Sequence, residues 1–215
     1  TQDAIPLSAN WLERLLEHFD DGNVAGVYGR QIPQDGAAPM ERYLLGRLYP
    51  ARLIVKETSV SRPPRLEELF FSNVNSAIRR SVWEAIPFDE DVIMSEDQLW
   101  AKQALMAGHR IVYTPDAAVS HSHNYSLAGL FRRYFDSGVS MRGVAEDSLA
   151  GTAWSYVRHL VGEAVYVTRH DSAWLPRMAV YEAVRATAFA VGQRHRLIPH
   201  RLKRRISQHS YYWTR

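Results

Sequence analysis

Apolar residues recur along the chain with two periods, one typical of helices and one typical of strands. In residues 8–20, SANWLERLLEHFD, large apolar side chains fall at helical spacing behind Ser8, a residue type that caps helices, and Gly22 follows as a stop signal. Residues 24–32, VAGVYGRQI, are almost continuously apolar, and this pattern predicts a short buried strand.

The alternation of the two patterns continues through the first half of the chain. The segment 69–86, LFFSNVNSAIRRSVWEAI, begins like a strand, turns polar at Ser72 and continues as a short helix. Residues 97–108, DQLWAKQALMAG, predict a helix that ends in a glycine, and the following HRIVYTP predicts a strand that stops at Pro115. Alternating helices and strands indicate an α/β domain.

No strand pattern follows His123. Residues 127–135 form an amphipathic helical stripe, and Asp136 falls on its polar side. Two further helices are predicted at 154–168 and 175–192, the last with a proline in its first turn. The second half of the chain is therefore expected to be α-helical.

The charges divide the chain at the same place. Up to His123, 12 Lys and Arg stand against 17 Asp and Glu, a net charge of −5; from Asn124 onward 14 stand against 6, a net charge of +8. We expect an acidic domain at 1–123 and a basic, amphipathic helical extension at 124–215. Such an extension suits an anionic membrane surface, nucleic acid, or a lid with a solvated basic face, although no nucleic-acid reader motif accompanies it.

Composition limits the available chemistry. With 46% hydrophobic residues, the 215-residue chain can bury a sizeable core, in which Trp83 and Trp100 are expected to pack. No run reaches the roughly 18 apolar residues of a membrane span, and the first residues lack the pattern of a signal peptide. Because the chain has no cysteine, a metal could be held only by Asp, Glu, His or carbonyl oxygen. The absence of cysteine is also compatible with a reducing cytoplasm.

Two adjacent acids, Glu96 and Asp97, begin the predicted helix at 97–108. Acids in a first turn complement the helix dipole, so capping alone explains them, although Ser95 already offers a cap. Asp3 lies before a proline and a helix, and HSH at 121–123 follows a strand. Together these residues offer carboxylate and imidazole ligands for a cation, with a further carboxylate that could act as a base.

The chain resembles family 2 glycosyltransferases of the GT-A fold, and among them the bacterial rhamnosyltransferase-like branch. The resemblance covers nearly the whole chain and is most specific from Asn73 to His123. It rests on TQDA, GVYGRQIP, FFSNVNSAIRRSVWEAIPFDEDVIMSEDQLWAKQALMAGHRIVYTPDAAVSHSH and RYFDSG. It implies the C-terminal half of a Rossmann-like GT-A domain followed by the α-helical extension. Because the chain opens at the metal motif, we expect this fragment to lack the nucleotide-binding half and to be inactive alone.

The resemblance also implies roles for particular residues. In this family a carboxylate motif binds the divalent metal, Mg²⁺ or Mn²⁺, that bridges the donor's diphosphate. Asp3 matches that ligand, while Thr1 stands where the first acid of the motif is usual. His121 matches a metal-binding imidazole. Asp97 matches the catalytic base of inverting enzymes, and Glu96 is expected to orient the helix or bind an acceptor hydroxyl.

Further polar residues are candidates for donor or acceptor binding, each with a structural alternative such as a turn or a solvated helix face. They are Arg30, Gln31, Asn73, Asn75, Arg79, Arg80 and His123.

The resemblance implies an inverting, metal-dependent glycosyltransferase of polysaccharide or cell-envelope biosynthesis. It would move a sugar, with rhamnose as first choice, from a nucleoside-diphosphate sugar to a hydroxyl of a polysaccharide or lipid-linked glycan. The alternative is a non-catalytic adaptor that binds a membrane surface or nucleic acid through its basic helices. The enzyme hypothesis predicts a cytoplasmic protein and no nucleic-acid partner, and leaves open a peripheral position on the inner face of the plasma membrane.

Overall fold

The computed structural model describes residues 3–58, 69–141 and 149–214, with the side chains of 149–153 excluded. Thr1, the residue in place of the usual first acid, therefore lies outside the described residues. The chain divides into two compact units. One comprises the described residues up to Asp89 together with Glu96–His123, and the other comprises Glu90–Ser95 and the described residues from Asn124 onward.

The first unit is a mixed α/β fold. Its strands are β1 (Ile5–Pro6), β2 (Val24–Ile32), β3 (Ile54–Lys56), β4 (Ser76–Ile78) and β5 (Arg110–Ser120). Its helices are α1 (Trp11–Leu16), α2 (Pro39–Leu48), α3 (Arg80–Ala85) and α4 (Glu96–Met106), and a 3₁₀ turn at Glu17–Asp20 follows α1. The strand predicted at 24–32 is confirmed, and the helix predicted at 97–108 is confirmed with slightly shifted ends.

The long strand β5 organises the sheet. β2 runs parallel to it on one side, while β1 and β3 pair antiparallel with the other side near its two ends. β4 pairs antiparallel with the outer edge of β2. Since β2 and β5 are parallel, their carboxyl ends meet at the same edge, with Ile32 beside Ser120. Residues at the ends of these two strands are therefore brought together.

The prediction that a strand stops at Pro115 is wrong, because β5 continues to Ser120. The register between β2 and β5 passes from Gly29 opposite Thr114 to Gln31 opposite Val119, so β5 bulges where the proline has no N–H to give to the ladder. A Cβ on Gly29 would lie 2.1 Å from the carbonyl oxygen of Ala117, so only glycine fits beside the bulge.

Two other local predictions also fail. The first helix begins at Trp11 with Asn10 in the cap position, so Ser8 is not its cap. Trp83 is 43% exposed, because α3 is a short surface helix that buries only Val82. Trp100, by contrast, is buried as predicted and packs on Phe71 with ring centroids 5.3 Å apart.

The second unit is helical. Its helices are α5 (Leu127–Ser140), α6 (Leu149–Asp171), α7 (Leu175–Gln193) and α8 (His200–Ile206), with 3₁₀ turns at Ser172–Trp174, His195–Leu197 and Ser210–Thr214. All three helices predicted here are confirmed. α5 and α7 cross at two glycines, since a Cβ on Gly138 would lie 2.2 Å from the carbonyl oxygen of Phe189, and one on Gly192 would lie 2.1 Å from that of Phe135.

Asp136 does not lie on a solvated face of α5, as the helical pattern predicted. Its side chain is fully buried, and Oδ2 accepts hydrogen bonds from the backbone N–H groups of Gln208 at 2.8 Å and His209 at 3.1 Å. The carboxylate thereby fixes the C-terminal segment on α5. Burial raises the pKa of Asp136, and these hydrogen bonds oppose the increase.

A second buried polar cluster joins α6 to α7. Arg185 Nη2 lies 3.0 Å from Glu182 Oε2 and also donates to His159 Nε2. Glu163 Oε1 lies 3.8 Å from the same imidazole nitrogen, and carboxylate oxygens of Glu163 and Glu182 lie within 4.8 Å of each other. Burial, reinforced by the charge of Glu182, raises the pKa of Glu163 to about 8. One positive charge therefore faces two acids that together retain a proton near neutral pH.

Glu163→Gln should make stability less dependent on pH. Folded Glu163 keeps a proton that the unfolded chain releases above its normal pKa of 4.5, so wild-type stability should fall as pH rises from about 4.5 to 8. Glutamine cannot titrate, and we expect the variant to be more stable than wild type by roughly 2 kcal/mol at pH 8.5, with a smaller difference at pH 5. Urea unfolding followed by circular dichroism measures both values.

The exposed acid Asp171, changed to Asn, is the matched control and should show no comparable trend. An equal Glu163→Gln effect at both pH values would mean that Glu163 is ionised in the folded protein.

Candidate active site

Two imidazoles and a carboxylate meet where β5 ends. His121 Nε2 lies 3.4 Å from Asp3 Oδ2, and His123 Nε2 lies 4.0 Å from the same oxygen. The imidazole rings meet edge to face with centroids 4.6 Å apart. One ligand atom from each of the three residues lies within 4.8 Å of the others. Asp3 is more than a hundred positions from the two histidines in the sequence, yet the three residues form one cluster, called here the β5-edge cluster.

His121 is the buried member of this cluster, at 6% exposure, whereas Asp3 and His123 are exposed. Burial lowers the pKa of His121 and the nearby imidazole of His123 lowers it further, while the Asp3 carboxylate opposes the decrease through its charge and a hydrogen bond. A neutral imidazole keeps a lone pair, which a metal ligand requires.

Gln31, at the end of β2, holds the other side of the His121 ring. Its Oε1 lies 2.8 Å from His121 Nδ1, and its Nε2 donates to Ser72 Oγ at 3.0 Å and to the hydroxyl of Tyr49. All four of these side chains are buried. The parallel pairing of β2 with β5 creates this contact, because it brings the ends of the two strands together.

Asp97 lies in the first turn of α4 and uses both carboxylate oxygens. Oδ1 accepts from the N–H of Gln98 at 2.8 Å, and Oδ2 accepts from the N–H of Asn73 at 3.1 Å. The first bond satisfies one of the N–H groups that have no partner within the helix at its N-terminus, whereas the second fixes a loop distant in sequence. The preceding Ser95 has a φ of 63°, in the left-handed region, while a capping residue is normally extended.

The loop at Ser72 and Asn73 connects Asp97 with the β5-edge cluster. Ser72 accepts from Gln31, and the next residue donates to Asp97. Tyr49 lies beside the same loop, since its hydroxyl and that of Ser72 both accept from Gln31 Nε2. Burial raises the pKa of Tyr49, and the charge of Asp97 raises it further. A continuous set of polar contacts therefore runs from Asp97 to His121.

Several other candidates make structural contacts away from this cluster. Asn75 is 3% exposed, accepts from Trp11 Nε1 at 2.9 Å and donates to the carbonyl of Ala117 at 2.7 Å. The Arg79 guanidinium donates to the backbone carbonyls of Phe19, Asp21 and Val24. Arg80 pairs with Glu84 on the surface of α3. These contacts account for the three residues without a ligand.

The remaining candidates are Arg30, Glu96 and Asn73. Arg30 is partly buried and directly precedes Gln31, and Glu96 is partly buried beside Asp97. Asn73 donates its backbone N–H to Asp97, while its side-chain oxygen accepts from Ser76 Oγ at 3.4 Å.

Three members of the site were not identified from the sequence. They are Glu41, whose Oε1 accepts from the N–H of His123 at 3.3 Å, and the Gln31 partners Tyr49 and Ser72. Ser72 gives a signal, since it interrupts an apolar run, but nothing local distinguishes Tyr49 from an ordinary core aromatic.

The β5-edge cluster has the donor atoms of a divalent cation site. A carboxylate oxygen with two imidazole nitrogens suits a first-row transition-metal ion, of which Mn²⁺ is one, better than Mg²⁺, which prefers oxygen ligands alone. His159, Glu163 and Glu182 in the helical unit also bring three ligand atoms within 4.8 Å of one another. There, however, Arg185 donates to His159 and pairs with Glu182, so the protein supplies the positive charge itself.

Comparison with known proteins gives the class of this protein, which is a glycosyltransferase. No family model matches the chain. It is similar to the O-antigen chain rhamnosyltransferase WbaN of Salmonella anatum, at 32% identity, and to the O-antigen chain rhamnosyltransferase RfbN of Salmonella typhimurium, at 30% identity. Each alignment covers 100% of this chain and 69% of the relative. The chain belongs to this family of rhamnosyltransferases, as the sequence resemblance implied.

Asp3→Asn and His121→Ala should each weaken Mn²⁺ binding about tenfold or more, because each removes a ligand from a three-residue donor set. Isothermal titration of the intact protein measures the affinity. His170→Ala removes an exposed imidazole of the helical unit and should leave binding unchanged. Wild-type affinity in both cluster variants would show that Mn²⁺ binds elsewhere.

Proposed function

We propose that this chain provides the general base and the metal ligands of an inverting rhamnosyltransferase. The observation that carries the proposal is the polar connection between Asp97 and the β5-edge cluster, made through Gln31 and the loop at Ser72 and Asn73. The GT-A fold, suggested by the sequence resemblance, is compatible with the mixed α/β unit. The donor would be a nucleoside-diphosphate rhamnose, since both relatives are rhamnosyltransferases by name.

In the proposed reaction, an acceptor hydroxyl attacks the anomeric carbon, the bond from that carbon to the diphosphate breaks, and Asp97 takes the hydroxyl proton. The carboxylate suits this role because two N–H donors and the N-terminus of α4 hold it in one orientation. Glu96, in the same first turn, would bind an acceptor hydroxyl or orient the helix. The inverted configuration follows from attack on the face opposite the leaving group.

Asp3, His121 and His123 would hold the divalent cation. When bound, it supplies positive charge that stabilises the departing diphosphate. The chain's own contribution is to keep the Asp3 carboxylate and the neutral His121 imidazole at the same edge of the sheet, 3.4 Å apart. The acceptor would be a hydroxyl of an O-antigen-type polysaccharide or its lipid-linked precursor, by analogy with the names of the relatives.

Asp97→Asn should lower kcat of the intact protein by about 10²- to 10⁴-fold, because an amide cannot accept the acceptor proton. The amide oxygen can still accept from Asn73, so donor affinity should change little. Rhamnose transfer to an acceptor glycan gives kcat, and calorimetry with the nucleotide sugar gives the affinity.

Glu96→Gln is the matched control in the same helical turn, and we expect a smaller loss of kcat. A fully active Asp97→Asn protein would refute the assignment of Asp97 as the base.

We also propose that the helical unit binds an anionic membrane surface. None of the described helices combines the length and apolar character needed to cross a bilayer. On α6, however, Trp154, Val157, Val161 and Val165 follow one face at helical spacing, and each is at least 43% exposed. Arg158 and Arg169 are exposed beside them. An apolar stripe flanked by arginines matches the interface of an anionic bilayer.

Charge in the rest of this unit supports the same surface. Among the described side chains of residues 154–214, Asp171 is the only exposed acid, since Glu163 and Glu182 are buried. Exposed basic residues continue into α8 at Arg201, Arg204 and Arg205. The excess of positive charge favours lipid over a neutral protein partner.

Val161→Asp should reduce sedimentation with phosphatidylglycerol-containing liposomes severalfold, because it introduces a charge on the apolar stripe. Wild type should sediment more weakly with neutral phosphatidylcholine liposomes and at high salt. Thr187→Asp, an exposed position on α7, controls for the added charge. Binding that does not depend on anionic lipid would contradict the proposal, and a shift in oligomeric state instead would assign the stripe to a second copy of the chain.

A further inference from the structure

Gln31 is buried within the first unit at 4% exposure, and its three described hydrogen bonds are all internal. The sequence suggested that this residue lines the donor or acceptor pocket. Its burial and its partners indicate a different role, in which it acts through His121 and Ser72 rather than through contact with sugar.

The two ends of a glutamine amide differ, because the nitrogen only donates and the oxygen only accepts. Both N–H groups of Gln31 are used on hydroxyl oxygens, those of Tyr49 and Ser72. Oε1 therefore faces His121 Nδ1 at 2.8 Å, and an acceptor in that position requires a proton on Nδ1. In a neutral imidazole the other nitrogen, Nε2, then carries the lone pair, and it faces Asp3 Oδ2 at 3.4 Å.

We propose that Gln31 is a positioning residue that holds His121 in the Nδ1–H tautomer, so that the Nε2 lone pair is directed into the β5-edge cluster. This inference rests on the proposed function for its purpose, because the tautomer matters when Nε2 is a metal ligand. Tyr49 and Ser72 contribute by fixing the orientation of the amide.

The same residue also links the cluster to the proposed base. Ser72 accepts from Gln31, and the adjacent Asn73 donates its N–H to Asp97 Oδ2. The position of the loop that Asp97 binds and the orientation of the His121 ring therefore depend on one amide. Replacing it with a side chain that cannot hydrogen-bond should disturb both.

Nitrogen-15 NMR of the histidine side chains in the metal-free intact protein tests the tautomer directly. At pH 8, where imidazoles are mostly neutral, wild-type His121 should show a protonated Nδ1 and an unprotonated Nε2. Gln31→Glu should keep this pattern, since a carboxylate also accepts from Nδ1–H and the two hydroxyls can turn to donate. Gln31→Leu should give a mixture of the two tautomers.

Mn²⁺ titration provides the second measurement. We expect Gln31→Leu to bind Mn²⁺ about 10- to 100-fold more weakly than wild type, the usual loss when the partner of a ligating histidine is removed. Gln31→Glu should stay within a fewfold of wild type. Gln103→Leu makes the same substitution at an exposed position of α4 and should have no effect.

A wild-type His121 with the proton on Nε2 would overturn the inference, because the amide would then be reversed and Nε2 would donate to Asp3. The wild-type spectrum decides this even where Gln31→Leu fails to fold. A failure of the proposed function would give a different result. An active Asp97→Asn protein would refute the assignment of Asp97 as the base, while the His121 tautomer would be unchanged.

Discussion

The parallel pairing of β2 with β5 is the constraint on which the rest of the site depends. It sets the carboxyl ends of two strands side by side, so that Gln31 and His121 meet although 90 residues separate them. The bulge at Pro115 adjusts the register that leads to this contact, and Gly29 makes room for it. Shifting one strand by a single residue would turn every side chain of that strand to the other face of the sheet and separate the amide from the imidazole.

The two units use buried charge in different ways. In the first, hydrogen bonds fix the Asp97 carboxylate at a helix N-terminus and leave it partly accessible, as a base requires. In the second, Glu163 and Glu182 are fully enclosed with Arg185 and His159. That arrangement joins α6 to α7 and keeps a proton on the acid pair. The β5-edge cluster and the Glu163 cluster each contain an acid and a histidine. They differ because the Glu163 cluster is buried and contains the guanidinium of Arg185, which identifies it as structural and leaves the β5-edge cluster as the candidate catalytic one.

Membership in a rhamnosyltransferase family agrees with the acid and imidazole pattern that the sequence resemblance identified. The resemblance implied Asp3 and His121 as metal ligands, and the fold brings these two residues together with His123. It gave no reason to separate Gln31 from Asn75 or Arg79. Those three were equivalent polar candidates in the sequence. In the fold, Gln31 hydrogen-bonds the His121 ring, Asn75 donates to the Ala117 carbonyl beside the β5 bulge, and Arg79 donates to the backbone carbonyl at the start of β2.

The sequence by itself determined the elements whose signals are local. The apolar run of β2, the helix at Glu96 with its first-turn acids, the helices after His123 and the burial of Trp100 all follow from periodicity and residue type. Only the tertiary structure decided that β5 passes through Pro115, that Asp136 and Glu163 are enclosed, and that Tyr49 and Ser72 support Gln31. These features depend on strand register and on burial by distant segments, and no local pattern encodes either one.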